Sequence, residues 1–293
     1  MKAIVTAARA TTFSDYVELT KPRITMLVVL TTLIGSCLAS IGGIDYLLLF
    51  HTLLGTAMIA AGASCLNMVL EWDADARMRR TESRPIPSGR LSVSQAIYFG
   101  CVISACGILY LLVLVNPLTS LLATITAGLY LFAYTPLKKR TPLCTVVGAI
   151  PGAIPPMMGW TAVRNSLDFP AFWLFAILFL WQLPHFLAIA WLYREDYARG
   201  GFPMLPVVDP KGTSTSRQII AQTFSLMGVS LVPAILGFFG STYLIGAAIL
   251  GVIFVAMGIR LAMTKSSASA RRLLLTSVIY LPLLMTLMVA DRW

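Results

Sequence analysis

Apolar runs of about twenty residues recur from one end of the chain to the other, parted by short polar segments. Hydropathy places spans near 24–43, 46–70, 95–115, 118–135, 143–162, 170–191, 219–239, 242–261 and 272–290. Lipid offers the backbone no hydrogen bonds, so each run must satisfy its own as a helix. The pattern therefore predicts an all-α polytopic membrane protein with nine transmembrane helices. Residues 1–293 read as a single membrane-embedded domain with a short polar N-terminal segment, 1–23, because no polar stretch is long enough to form a separate aqueous domain. Met1 to Arg23 contains no apolar core followed by a cleavage site, so the first span would itself direct insertion.

Composition agrees with this reading: of 293 residues, 58% are hydrophobic and only 12% charged, against about 25% charged in soluble domains. The net charge of +10 would suit a nucleic-acid binder, but the basic residues lie in short loops rather than on one continuous face. Membrane topology accounts for them better. With the N-terminus inside, all 22 Lys and Arg except Arg164 and Arg292 fall on one side, Lys2, Arg9, Lys21 and Arg23 among them. That is the positive-inside pattern, and it puts the N-terminus in the cytoplasm, the C-terminus outside and every long polar loop on the cytoplasmic face. Polar chemistry is expected there. The five cysteines, Cys37, Cys65, Cys101, Cys106 and Cys144, show no CxxC spacing and read as small packing residues.

The second span runs into Asn67, Glu71 and Asp75, spaced i, i+4, i+8. On a helix this spacing advances about 40° per step, so the three oxygen-bearing side chains line one face while Asp73 points away. Carboxylates stacked at the C-terminal end of a helix oppose both each other and the helix dipole, so something positive must compensate. One reading is a solvated helix end neutralised by Arg77, Arg79 and Arg80. The other is a site for a hard cation such as Mg²⁺, which takes oxygen ligands and bridges one or two carboxylates to substrate phosphates. The second reading needs a phosphate binder nearby. Arg79 to Arg90 form a basic loop stiffened by Pro85 and Pro87, and a second loop brings Lys138, Lys139 and Arg140.

Three runs carry a resemblance over nearly the whole chain: LNMVLEWDADARMRRTESRPIPSGR at 66–90, YTPLKKRTPLCTVVGAIPGAIPPMMGW at 134–160 and WQLPHFLAIAWLYREDYARGGFPMLPVVD at 181–209. Together they resemble the signatures of the UbiA superfamily of intramembrane prenyltransferases, in the form carried by its heme-farnesylating branch. The resemblance implies a nine-helix bundle around a central cavity that opens to lipid, set in the cell inner membrane, with cytoplasmic loops capping a diphosphate end. It implies Mg²⁺-dependent transfer of farnesyl from farnesyl diphosphate to a vinyl group of heme B (protoheme IX), with addition of water, giving heme O for terminal oxidases. Heme B is then a substrate rather than a cofactor, and a heme-modifying or oxidase-assembly protein is an expected partner.

Position by position, the resemblance makes Asn67, Glu71 and Asp75 metal ligands, Glu71 standing where many relatives have Asp. Arg84, Lys138 and Lys139 match residues expected beside diphosphate, and Tyr134 opens the second signature. Where the superfamily has a second Asp-x-x-x-Asp, this chain has Tyr193-Arg194-Glu195-Asp196-Tyr197, leaving Asp196 as the one candidate for a second metal position. Ionising an allylic diphosphate puts charge on the leaving group, so Mg²⁺, Lys and Arg would stabilise the transition state more than the substrate. Trp72, Tyr134, Trp181 and Phe186 are candidates to face the carbocation, or simply interfacial anchors.

His185 follows Pro184 within the sixth span, and a polar residue there invites either heme contact or an interhelical hydrogen bond. His51 lies near the outer end of the second span and reads as interfacial. Two rival functions remain open: a transporter, whose charges usually gather at the bilayer midplane rather than one face, and a prenyltransferase for an aromatic quinone precursor, which would differ only in its acceptor pocket.

Overall fold

The computed structural model describes residues 12–291; Lys2, Arg9 and Arg292, counted above in the charge pattern, lie outside them. Among the described residues nine helices are long and apolar enough to cross a membrane, and no strand occurs. In chain order, spans 1 to 9 are Pro22–Ala39, Tyr46–Asp75, Val93–Leu114, Pro117–Lys138, Cys144–Arg164, Phe169–Leu192, Thr213–Ile235, Ser241–Thr264 and Ser267–Ala290. The boundaries differ from the hydropathy reading where polar chemistry decides them. Span 1 stops at Ala39 because Gly42 and Gly43 turn the chain at positive φ. Span 2 continues unbroken to Asp75, so the whole acidic triplet is helical. Spans 7 and 9 begin about one and a half turns early because Asp209 accepts the Thr213 and Thr215 N–H groups and Ser266 accepts that of Ser269.

Large apolar side chains such as Val113, Phe132 and Met263 are at least three-quarters exposed, as lipid-facing residues should be. Cys101 and Cys106 share that surface, which corrects their reading as core residues; Cys65 and Cys144 are buried, and no disulfide joins any of the five among the described residues. Between helices, close approach replaces hydrophobic driving force. Spans 1 and 5 touch backbone to backbone: a Cβ on Gly35 would lie 2.0 Å from the Pro156 carbonyl oxygen, and one on Gly159 would lie 1.9 Å from that of Thr32. The Ser36 hydroxyl donates to the Gly159 carbonyl at 3.1 Å across the same joint.

Two spans depart from regular α-helix. Span 4 passes at Gly128 into a π-turn, Leu129–Tyr134, whose wider turn brings i and i+4 nearly into line and stacks Tyr130 on Tyr134 at 5.5 Å before Thr135–Lys138 resumes the helix. Span 5 breaks at Ile154 between Cys144–Ala153 and Pro155–Arg164, where Pro155 and Pro156 cannot donate backbone hydrogen bonds. Tyr130 and Tyr134 of the first, and Pro151, Gly152 and Pro155 beside the second, line an interior cavity. The basic loops gather at one end of the bundle, where Arg90 pairs with Asp15 and, at 2.8 Å, with Glu18 of the short helix Phe13–Leu19.

Candidate active site at the basic end of the bundle

Span 2 carries one continuous inward face. Thr56, Ile59, Ala60, Ala63 and Ser64 line a cavity of about 380 Å³, and the same face continues through Asn67, Glu71 and Asp75, each no more than 2% exposed. The helix thus runs from an apolar cavity into a charged pocket over some 20 residues, about 30 Å. Spans 1, 4, 5, 6 and 9 complete the cavity, with Ile24 and Leu27 of span 1 and Phe186 and Ile189 of span 6 on its wall. Ile24 is 54% and Leu27 39% exposed, so the cavity opens sideways to lipid beside span 1.

Three cations meet the acidic face. Lys138 donates to Glu71 Oε2 at 2.9 Å, Arg84 to Asp75 Oδ2 at 2.6 Å and Lys21 to Asn67 Oδ1 at 2.7 Å. Asn67 also donates to Thr135 Oγ1 at 3.0 Å, and Thr135 in turn donates to the Tyr130 carbonyl at 2.8 Å, so the π-turn of span 4 fixes the amide of span 2. Lys138 lies over the rings of Phe202 at 4.5 Å and Tyr134 at 5.9 Å. Arg77, Arg79 and Arg80 do not neutralise the buried carboxylates: Arg77 pairs with the exposed Asp73, the Arg79 N–H goes to Asp196, and Arg80 lies over Tyr193 and Tyr197.

Three cations face two carboxylates, leaving one surplus positive charge in a buried pocket, which suits an anion. Lys21, just before span 1, has its ammonium pKa drawn down to about 7 by burial, with the Arg84 and Lys138 charges pushing the same way. A diphosphate would relieve that repulsion.

Glu71 Oε1 and Asp75 Oδ1 are buried without a hydrogen-bond partner, although each carboxylate's other oxygen is paired. Two bare carboxylate oxygens on consecutive turns, beside an amide oxygen, form an all-oxygen donor set of the kind Mg²⁺ takes together with substrate phosphates, and the residues fit such an ion. Among the described residues no cluster of three or more His, Cys, Asp and Glu could hold a metal by itself, so phosphate oxygens would have to complete the coordination.

The other sequence candidates are placed as follows. Lys139 pairs with Asp73 at 2.8 Å on the half-exposed outer side of span 2. Asp196, 8% exposed, pairs with Arg199 and accepts the Arg79 N–H, so it braces the loop after span 2 against the helix Arg194–Gly200. Tyr134, Trp181 and Phe186 line the cavity, whereas Trp72 is 47% exposed and does not. His185 lines the cavity, with Nδ1 2.7 Å from Ser277 Oγ and its ring stacked on Trp181 at 4.8 Å. His51 bonds to the Tyr110 hydroxyl at 2.7 Å, away from the acidic face.

Lys21, Thr135, Phe202 and Ser277 are the residues sequence reasoning missed. Lys21 looked like one more inside charge. The signal available was its place directly before Pro22, where a lysine at a helix start opposes the dipole and so needs another reason to be there.

The chain matches the UbiA prenyltransferase family over residues 28–282. It is 49% identical over 287 residues to a protein of Solibacter usitatus (strain Ellin6076) called protoheme IX farnesyltransferase, covering 95% of this chain and 98% of that one. It is 44% identical over 293 residues to a protein of the same name from Koribacter versatilis (strain Ellin345), covering 97% and 94%. Its fold resembles that of a digeranylgeranylglyceryl phosphate synthase, with a TM-score of 0.77 at 20% identity over 95% of this chain and 97% of the other. It also resembles a UbiA homolog from Archaeoglobus fulgidus bound to GPP and Mg²⁺, with a TM-score of 0.63 at 13% identity over 94% and 99%. With the family matched from span 1 to span 9 and relatives up to 49% identical over nearly the whole chain, this chain belongs to the UbiA prenyltransferase family.

Proposed function

We propose that the protein transfers farnesyl from farnesyl diphosphate to a vinyl group of heme B, with addition of water, giving heme O. The observation that carries the donor half is the pair of bare oxygens, Glu71 Oε1 and Asp75 Oδ1, set among Lys21, Arg84 and Lys138 where the apolar cavity ends. The acceptor half rests on the activity in the names of the near relatives. A quinone-precursor acceptor would use the same donor half, and those names favour heme. We place residues 1–293 in one domain in the cell inner membrane, N-terminus in the cytoplasm, with the basic end facing it. A heme-modifying or oxidase-assembly protein in the same bilayer would receive the product.

Asn67, Glu71 and Asp75 would hold Mg²⁺, which supplies Lewis-acid stabilisation of the departing diphosphate. Lys21, Lys138 and Arg84 bind the phosphate oxygens and neutralise the charge that grows on them as the C–O bond breaks. Asp196 tethers the loop after span 2 by accepting the Arg79 N–H and would be the one carboxylate for a second metal position, while Lys139 adds positive potential at the rim. The prenyl chain lies along Ser64, Ala63, Ala60, Ile59 and Thr56, where apolar walls keep water from the carbocation and Tyr130 and Tyr134 turn their rings toward it. The porphyrin edge lies against His185.

Purified protein incubated with heme B, farnesyl diphosphate and Mg²⁺ should yield heme O by mass, and excess chelator should stop it. Asp75→Asn should abolish turnover in a protein that still folds. Product formation in chelator would remove the metal from the reading, and product from a quinone precursor with none from heme B would replace the acceptor. His185→Ala should weaken heme B binding while leaving farnesyl diphosphate affinity nearly unchanged, as measured by paired titrations.

A further inference from the structure

Ser277 sets the tautomer of His185. The serine has one hydroxyl proton, and its Oγ lies 2.6 Å from the Leu274 carbonyl, a contact that can only be a donation from the serine. The 2.7 Å bond to His185 Nδ1 must then run the other way, from Nδ1–H to Oγ, which leaves Nε2 unprotonated with its lone pair free. The plane of the ring is held as well: Trp181 stacks on it and is itself pinned by donating Nε1–H to the Ser277 carbonyl at 2.8 Å.

Three residues earlier on the same face of span 6, Gln182 donates its amide to the Ala149 and Leu178 carbonyls at 3.2 and 3.1 Å. Its Oε1 occupies the space above Gly152, where a Cβ would lie only 1.9 Å away. Among the described residues Oε1 and His185 Nε2 accept no hydrogen bond, and neither is sealed off from the cavity both residues line. They lie close to the donor site: Tyr134 packs on Gly148, and Gly152 is one turn further along span 5, about 5.4 Å.

Two bare acceptors on one helix face suit a molecule with two protons to donate and a lone pair left over. We propose that Gln182 Oε1 and His185 Nε2 hold the water that ends the reaction, His185 acting as its base and Ser277 as a positioning residue. This rests on the function proposed above. The C–O bond of farnesyl diphosphate breaks with its electron pair leaving on diphosphate, and the vinyl π pair of the acceptor forms the new C–C bond. The cationic centre is then the inner vinyl carbon. Water gives that carbon its lone pair, forming the C–O bond, and loses its proton to His185 Nε2. Without a held water the same cation sheds a carbon-bound proton, giving an alkene lighter than the alcohol by one water.

The test is the ratio of hydrated to dehydrated farnesyl heme, read by mass. Gln182→Leu and His185→Phe should lower that ratio by about a hundredfold, a general base contributing about 10²–10⁴. Ser277→Ala should lower it by about tenfold, and Ser277→Thr, which keeps the acceptor oxygen, should restore it. A purely structural role would reduce total farnesylation and leave the ratio alone, so an unchanged ratio in all three variants that still farnesylate heme overturns the proposal. Farnesyl diphosphate titration identifies any variant that has lost its fold, for which Gln182→Asn and His185→Gln, both altering acceptor placement, are read instead under the same criterion. A wild-type chain that makes no farnesylated heme overturns the functional reading and this inference with it, whereas wild-type product with unmoved ratios overturns the inference alone.

Discussion

Lys138 and Glu71 are both nearly sealed from solvent, and neither can lose the other cheaply. Lys138→Ala would leave the Glu71 carboxylate buried beside a cavity, and breaking one partner of such a pair typically costs about 3–5 kcal/mol. The expected outcome is a markedly lower melting temperature in detergent together with lost turnover. The double variant Glu71→Gln/Lys138→Met removes both charges, so it should recover most of that stability and none of the activity. The cycle separates a residue needed for chemistry from one needed only to neutralise its neighbour. Lys21 makes a different prediction: Lys21→Met removes one of the three cations without stranding a carboxylate, so it should weaken farnesyl diphosphate binding, measured by titration, with little loss of stability.

Helix contacts set a second group of outcomes. Gly159→Ala would push a methyl to within 1.9 Å of the Thr32 carbonyl, and because that obstacle is backbone, spans 1 and 5 must separate. Overpacking of this kind costs about 1–3 kcal/mol, and detergent melting should show it. Hydropathy revealed the nine spans because a twenty-residue apolar run has one solution in lipid. It missed the π-turn at Leu129–Tyr134 because side-chain polarity carries no record of which carbonyl an N–H chooses. The break at Ile154 was written in Pro155 and Pro156, but prolines within membrane spans often leave a helix continuous. In the site, the i, i+4, i+8 spacing of Asn67, Glu71 and Asp75 was legible because one helix carries it. The bonds from Lys21 to Asn67 and from Lys138 to Glu71 join residues 46 and 67 positions apart, which no local pattern encodes.

The bundle as a whole separates its two ends by charge, and orientation is therefore testable. A cysteine introduced as Ser83→Cys at the basic end should react with an impermeant thiol reagent only from the cytoplasmic side of sealed vesicles, and Asn165→Cys at the opposite end only from outside. The reverse labelling would invert the topology and move the diphosphate site to the other compartment.

The joint between spans 1 and 5 has a mechanical consequence. Backbone contact at Gly35 and Gly159 acts as a fulcrum in the outer half of span 1, and Lys21 rides on the tip of the same lever. A porphyrin is far wider than a prenyl chain, so the lipid-facing seam beside Ile24 and Leu27 must part further to admit it. Swinging span 1 outward about that fulcrum draws the Lys21 ammonium away from Asn67. Any such swing would therefore loosen the hold on diphosphate while the seam is open and restore it when the seam closes, tying the donor site to the lipid-facing entrance.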